Sequence, residues 1–189
     1  MIFATNNQHK VEELLALTRG QFNIITLREA GIDIDIPEPY DTLEENASAK
    51  SKTIYEMTGE NCFSEDTGLE VEALQGAPGV KSARYAGESK SFDKNIDKLL
   101  SNLAGNSHRA ARFRTVISVI LEGRETRLEG ECRGRITTER KGTGGFGYDP
   151  VFIPDGSNKT FAEMTLEEKG RYSHRARAVE KLVAFLNIL

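Results

Sequence analysis

The chain has 189 residues, with 25 Lys+Arg against 29 Asp+Glu and a formal net charge of -4 at pH 7. A chain of that length buries roughly 70% of its unfolded surface without disulfides or a structural metal, and a 38% hydrophobic, 29% charged composition with mean hydropathy of -0.45 excludes disordered, collagen-like, coiled-coil and membrane-spanning classes. The pI near 5.5 excludes bulk phosphate neutralisation of a nucleic-acid polymer and leaves a single nucleotide as a possible ligand.

Ile2-Phe3-Ala4 is a short apolar run that breaks at Thr5-Asn6-Asn7, after which Val11, Leu14 and Leu15 recur at helical spacing. This predicts strand, tight turn and helix, with Thr5 or Asn6 as the cap. After the Pro-punctuated segment Ile36-Pro37-Glu38-Pro39-Tyr40, Thr42-Leu43-Glu44-Glu45 has capping-box form and places Leu43, Ala47 and Ile54 on one helix face. Cys62-Phe63 predicts a brief strand that ends in an acidic loop, Ser64-Glu65-Asp66-Thr67-Gly68, before Leu69, Val71 and Ala73 alternate with Glu70 and Glu72 in a half-buried strand. Gly76-Ala77-Pro78-Gly79 predicts a turn, and the segment from Ser91 puts Phe92, Ile96, Leu99, Leu100 and Leu103 on one helical stripe.

The β-branched run between Ala111 and Leu121, followed by Glu122-Gly123 and a polar partner ending near Ile136, predicts a long antiparallel hairpin. A Gly-rich stretch from Gly142 to Pro150 precedes a short strand Val151-Phe152-Ile153, and Val179, Leu182, Val183 and Leu186 predict a final amphipathic helix capped by Ser173. Hairpins among helix-flanked strands imply an α/β class with a mixed sheet. No linker divides the chain, so residues 1–189 are expected to form a single domain. Cys62 and Cys132 are too distant for C-x-x-C chemistry and read as reduced thiols, and Met1–Thr5 lacks a secretory pattern, so the expected location is the cytoplasm.

Four clusters carry potential chemistry. Glu65-Asp66-Thr67-Gly68 offers carboxylates and a hydroxyl suited to a hard cation such as Mg2+, although strand alternation sends neighbouring side chains to opposite faces. The turn Thr5-Asn6-Asn7-Gln8-His9-Lys10 offers backbone N–H groups and a lysine to an anion at a helix start. Gly142, Gly144 and Gly147 satisfy G-x-G-x-x-G, but Asp149-Pro150 ends the loop where a dinucleotide fingerprint would open a helix, so that reading is rejected; the glycines suit either a flat ring approaching Phe146 and Tyr148 or a mobile loop with one packed Phe. Ser173-His174-Arg175, four residues after Lys169, supplies His174 and Arg175 as donors for the edge of a base. Glu38 and Glu45 are further carboxylates, the latter explained as a helix cap.

Taken in order, Thr5-Asn6-Asn7-x-x-Lys10, Ser64-Glu65-Asp66-Thr67-Gly68-Leu69, Gly76-Ala77-Pro78-Gly79 with Ser82-Ala83-Arg84-Tyr85, Gly144-Gly145-Phe146-Gly147-Tyr148-Asp149-Pro150 and Ser173-His174-Arg175 resemble the inosine triphosphate pyrophosphatase (HAM1-like) family. The resemblance implies an elongated mixed sheet flanked by helices, with two lobes and a central cleft, in a homodimer that binds no membrane. It implies Mg2+-dependent hydrolysis of non-standard purine nucleoside triphosphates (ITP, dITP, XTP) to the monophosphate and pyrophosphate. It implies that Thr5 to Lys10 and Lys50 hold the triphosphate, that Asp66 binds metal and accepts the proton of the attacking water, that Thr67 touches substrate, and that Phe146, Gly147, Tyr148, Asp149, Lys169, His174 and Arg175 surround the base.

The second metal carboxylate is Glu38 by alignment, with Glu45 and Glu65 as alternatives. Asn6 stands where the family usually has Gly, and Glu65-Asp66-Thr67-Gly68 where it often has Asp-Asp-Ser-Gly. The competing readings are a Maf-like pyrophosphatase for modified or pyrimidine triphosphates and a nucleotide-binding sensor without turnover.

Overall fold

The computed structural model describes residues 1–188. In chain order it contains β1 (Ile2–Phe3), α1 (Gln8–Thr18), β2 (Ile25–Thr26), α2 (Leu43–Thr58), β3 (Cys62–Val71), β4 (Pro78–Gly79), α3 (Phe92–Asn102), β5 (Ala110–Leu121), β6 (Arg124–Ile136), β7 (Phe152–Pro154), α4 (Leu166–Gly170) and α5 (His174–Leu186). The helix starts follow side-chain chemistry: Thr42 and Ser91 cap α2 and α3 by accepting from the third amide inward. α1 is capped by Asn7, beyond the two expected residues, with its side-chain oxygen accepting from the Lys10 amide at 3.2 Å. α2 stops at Gly59, whose φ of 68° is the left-handed conformation that a C-terminal cap requires.

The seven strands form one mixed sheet in the order β2-β1-β3-β5-β6-β7, with β4 pairing β3. β1 pairs in parallel with β2 and β3, through Ile2↔Ile25 and Ile2↔Cys62, whereas β6 and β7 are antiparallel. The expected acidic loop does not exist. Glu65, Asp66, Thr67 and Gly68 lie inside the continuous strand β3, where Glu65 and Asp66 are buried. Carboxylates are tolerated there because each meets a cation, as described below.

By packing, the chain divides into two compact units, one built from Met1–Asp66, Thr115–Gly130 and the chain from Arg175 on, the other from Thr67–Arg114 and Glu131–His174. The first unit has one core around Phe3, Val11, Leu14, Phe63, Ile117, Val119, Val179 and Leu182 and a second around Ile2, Leu27, Ile54, Cys62 and Ile120. Phe3 and Phe63 stack at 4.5 Å, as the register of β1 on β3 dictates. The second unit centres on Leu69, Ile96, Leu99, Leu103, Phe113, Phe152 and Phe161, with Phe113 meeting Phe152 edge-on at 4.8 Å. Burying each such side chain contributes about 1.5–3 kcal/mol.

Cys62 and Cys132 are both free and buried. Burial pushes the Cys62 thiol up to about 11, only partly offset by a backbone hydrogen bond, so no thiolate is available near neutrality. Neither thiol should react with DTNB at pH 8 in the folded protein, and both should react in guanidinium; rapid labelling of the native protein would contradict this packing.

Candidate active site

In the first unit, three segments bring charge together at the middle of β3. The buried face of α2 carries Leu43, Ala47 and Ile54, but also Asn46, Lys50 and Ser51. Lys50 Nζ donates to a carboxylate oxygen of Asp66 at 2.8 Å and to one of Glu38 at 2.7 Å, so two acids from separate segments grip a single cation. Glu65, one residue earlier on β3, goes to different partners. Its carboxylate accepts from Arg175 Nε at 3.0 Å and from a terminal guanidinium nitrogen at 2.8 Å, and Lys10 Nζ lies 3.3 Å away. The other end of Arg175 pairs with Glu13 of α1.

The electrostatics differ sharply between the two neighbours. Burial works against ionisation of Glu65, yet Arg175 and Lys10 outweigh it and hold the carboxyl at about 2. For Asp66 burial prevails over Lys50 and Lys10, and Glu38 adds to it, so this carboxyl sits above its usual range. Burial also lowers Lys10, with Glu65 opposing and Lys50 reinforcing, whereas at Lys50 burial is overcome by Asp66 and Glu38 and the ammonium is held more firmly than usual. The arrangement therefore contains one acid whose carboxyl is held below its usual range and, beside it, one raised above it.

Thr5, Asn6, Asn7, Gln8 and His9 lead into α1 as expected, with the Thr5 hydroxyl accepting from the Asn7 amide at 3.2 Å. Asn6 is not among the residues with positive φ, so no left-handed backbone explains the Asn in place of Gly. Instead its side chain donates to the Ile34 carbonyl at 2.7 Å. Glu45 accepts from the Thr42 hydroxyl at 2.7 Å, and Glu65 is held by Arg175, so among the described residues the carboxylate that shares a hydrogen-bonded cation with Asp66 is Glu38.

Among the described residues no three or more His, Cys, Asp or Glu cluster to hold an ion. A metal at Glu38 and Asp66 would thus have two carboxylates, and the remaining positions would fall to waters and phosphates, the coordination magnesium prefers. The donor set fits: these two acids already hold a cation at hydrogen-bond distance.

In the second unit, Lys169 is 4% exposed and donates to Asp149 at 2.6 Å, with its Nζ 5.2 Å from the Phe146 ring centre and 5.3 Å from that of Phe161. Asp149 also accepts from the Phe146 amide at 3.0 Å. Gly145, at φ 69°, is required there because a side chain would collide with the Asp149 carboxylate. His174 stacks on Phe113 at 4.6 Å. Gly147 lies beside this cluster in sequence, and Thr67 opens the unit on β3.

Tyr148 is 4% exposed, packs in the core of this unit and donates its hydroxyl to the Ser82 carbonyl at 2.8 Å. Arg175 is 1% exposed, and its guanidinium pairs with Glu65 and Glu13. Glu13 was not singled out by the sequence. Its only signal is its place three residues after Lys10, one turn along α1, a spacing at which a Glu is ordinarily solvated.

A model of the Ham1 family matches residues 1–185. A dITP/XTP pyrophosphatase of Porphyromonas gingivalis is 51% identical over 187 residues, spanning 98% of this chain and 96% of the relative. One of Flavobacterium johnsoniae is 45% identical over 186 residues, spanning 98% and 97%. Among solved structures, the Staphylococcus aureus Ham1 protein superposes with a TM-score of 0.89 at 39% identity, covering 98% of this chain and 97% of that one. The Mycobacterium abscessus nucleoside-triphosphatase/dITP/XTP pyrophosphatase gives 0.77 at 35%, covering 96% and 97%.

The Glu65–Arg175 pair generates a stability prediction. Replacing Arg175 by Leu leaves Glu65 and Glu13 buried without their main cation and should destabilise by about 3–5 kcal/mol in urea unfolding at neutral pH. Because the folded-state value of Glu65 is depressed to about 2 from 4.5, its contribution is complete above pH 4.5 and disappears as pH falls toward 2. Glu65→Gln should accordingly flatten the acid limb of the stability curve over that window; an unchanged limb would contradict the pairing.

Proposed function

Because the chain belongs to the Ham1 family, we propose that it hydrolyses non-standard purine nucleoside triphosphates such as dITP, ITP and XTP to the monophosphate and pyrophosphate. The observation that carries the reading is the convergence of the Glu38 and Asp66 carboxylates on one cation beside Lys10. The relatives reported above carry the name of that activity over nearly the full length of this chain. Each packing unit is assembled from discontinuous stretches, so neither can be cut out as a segment, and the chain 1–189 is read as one pyrophosphatase domain.

Glu38 and Asp66 hold a divalent ion, Mg2+ in this reading. When bound, that ion neutralises developing negative charge on the phosphate oxygens. Asp66 acts as general base: its Oδ takes a proton from water as the water oxygen bonds to the α-phosphorus, and the bond from that phosphorus to the bridging oxygen breaks to release pyrophosphate. Lys50 holds Asp66 in place from α2, and Lys10 with the start of α1, Thr5 to His9, binds the triphosphate. Thr67 touches substrate from β3.

Phe146, Gly147, Asp149, Lys169 and His174 bind the base. Lys169 is pinned by Asp149 between aromatic rings, so its N–H donors are directed and desolvated. A purine with a carbonyl at the exocyclic position accepts from such a donor, whereas adenine presents an amine and leaves the donor unmatched. Mismatched hydrogen bonding of this kind can give selectivity of roughly 10⁴, against about 10² for shape alone. Arg175 acts through Glu65 rather than on the base. We place the enzyme in the cytoplasm as a homodimer, the first supported by two free buried thiols and the second by the family resemblance.

Asp66→Asn preserves shape while removing the base and weakening a metal ligand, and should lower kcat for ITP at least ~10²-fold in a pyrophosphate-release assay. Near-wild-type turnover, or no magnesium dependence in the wild type, would contradict the assignment. Lys169→Met should reduce the ITP-to-ATP ratio of kcat/KM by roughly tenfold or more; an unchanged ratio moves base reading elsewhere.

A further inference from the structure

The segment that carries Glu38 has no regular secondary structure, yet it is ordered by a period of two. Ile32, Ile34, Ile36 and Glu38 are half-buried, while Gly31, Asp33, Asp35, Pro37 and Pro39 are exposed. The three isoleucines pack on the core formed by Ile2, Leu27, Ile54 and Ile120. Glu38 is therefore the fourth inward position of an extended strap, at the point where apolar packing gives way to Lys50. Pro37 and Pro39 lack backbone N–H groups, so this end of the strap cannot be fixed by a strand ladder.

Two asparagines act where a ladder would. Asn6, from the turn before α1, donates to the Ile34 carbonyl at 2.7 Å. Asn46, 2% exposed on α2, accepts from the Tyr40 amide at 3.0 Å and donates to the Tyr40 carbonyl at 3.0 Å, reproducing both hydrogen bonds of a strand partner with one side chain. Asn is a poor residue for a helix interior, and burying its amide is tolerable only because both ends are matched. Glu38 thus lies between an upstream and a downstream clamp, and Asn46 is one helical turn from Lys50, the cation that Glu38 meets.

We infer that Asn46 and Asn6 are positioning residues that hold the Ile32–Tyr40 strap so that the Glu38 carboxylate is presented, preorganised, beside Asp66 to a divalent cation. This inference rests on the metal role proposed for Glu38. Outer residues that fix a carboxylate ligand typically change metal affinity by 10–100-fold when removed. The Asn in place of the family's usual Gly then has a use: in this chain it ties the phosphate-binding turn to the strap.

The test measures Mn2+ binding to the nucleotide-free protein by electron paramagnetic resonance, together with amide exchange at Tyr40. Asn46→Ala should speed Tyr40 exchange at least tenfold and weaken Mn2+ binding by about 10–100-fold, with KM for ITP at saturating Mg2+ changing far less. Asn6→Gly, at an exposed position that does not threaten folding, should weaken Mn2+ binding in the same direction by a smaller factor and carries the test alone if the Asn46 variant is unfolded. Unchanged Mn2+ affinity in Asn6→Gly and in folded Asn46→Ala would overturn the inference, as would unaltered Tyr40 exchange in Asn46→Ala. Glu38→Gln separates the two levels: if it binds Mn2+ like wild type, the metal role of Glu38 fails, whereas weakened binding there with unaffected Asn variants defeats only the clamp.

Discussion

A carboxylate moved out of water without a cationic partner is unfavourable by several kcal/mol or loses its charge, and the middle of β3 places two of them side by side in the interior. Much of the first unit can be understood as a response to that constraint. α5 begins by delivering Arg175 to Glu65, α1 contributes Lys10 and Glu13 to the same network, and α2 delivers Lys50 to Asp66. The strand could not be continuous through Glu65 and Asp66 without these partners. They come from helices that are distant in sequence, so the charge network also ties the unit together.

The constraint is met unequally. Glu65 is held by a bidentate guanidinium, the strongest form of ion pairing available to a carboxylate, which keeps its carboxyl well below the usual range. Asp66 has a single lysine that it shares with Glu38, and burial leaves it easier to protonate than usual. Adjacent residues of one strand thus differ in how their charge is held, because alternation sends them to different partners. The second unit repeats the logic once, with Lys169 and Asp149 paired between Phe146 and Phe161.

Features governed by local chemistry were legible in the sequence. Thr42 and Ser91 cap helices because a hydroxyl before an amphipathic run favours a helix start, and the β-branched run at residues 115–120 lies in an interior strand, buried on both faces. The motif order also sufficed to expect the family and the mixed sheet. What local reasoning could not supply was pairing over distance. Four polar residues in succession read as a loop, because the cations that make a buried strand possible lie elsewhere, Arg175 being 110 residues from Glu65. For the same reason the pairing of Arg175 with Glu65 and Glu13 has no local signal in the sequence. The strap was half legible: the alternation of isoleucines predicts which way Glu38 faces, but the asparagine clamps depend on tertiary approach.

The central claim is that Glu38 and Asp66 form the cation site of a nucleoside triphosphate pyrophosphatase. The most direct test is a crystal structure of the protein with Mn2+ and a non-hydrolysable ITP analogue, located by anomalous scattering. A manganese peak coordinated by carboxylate oxygens of both residues at about 2.0–2.3 Å, and by phosphate oxygens of the analogue, is the predicted result. A metal held elsewhere, with Lys50 still bridging Glu38 and Asp66, would contradict the account.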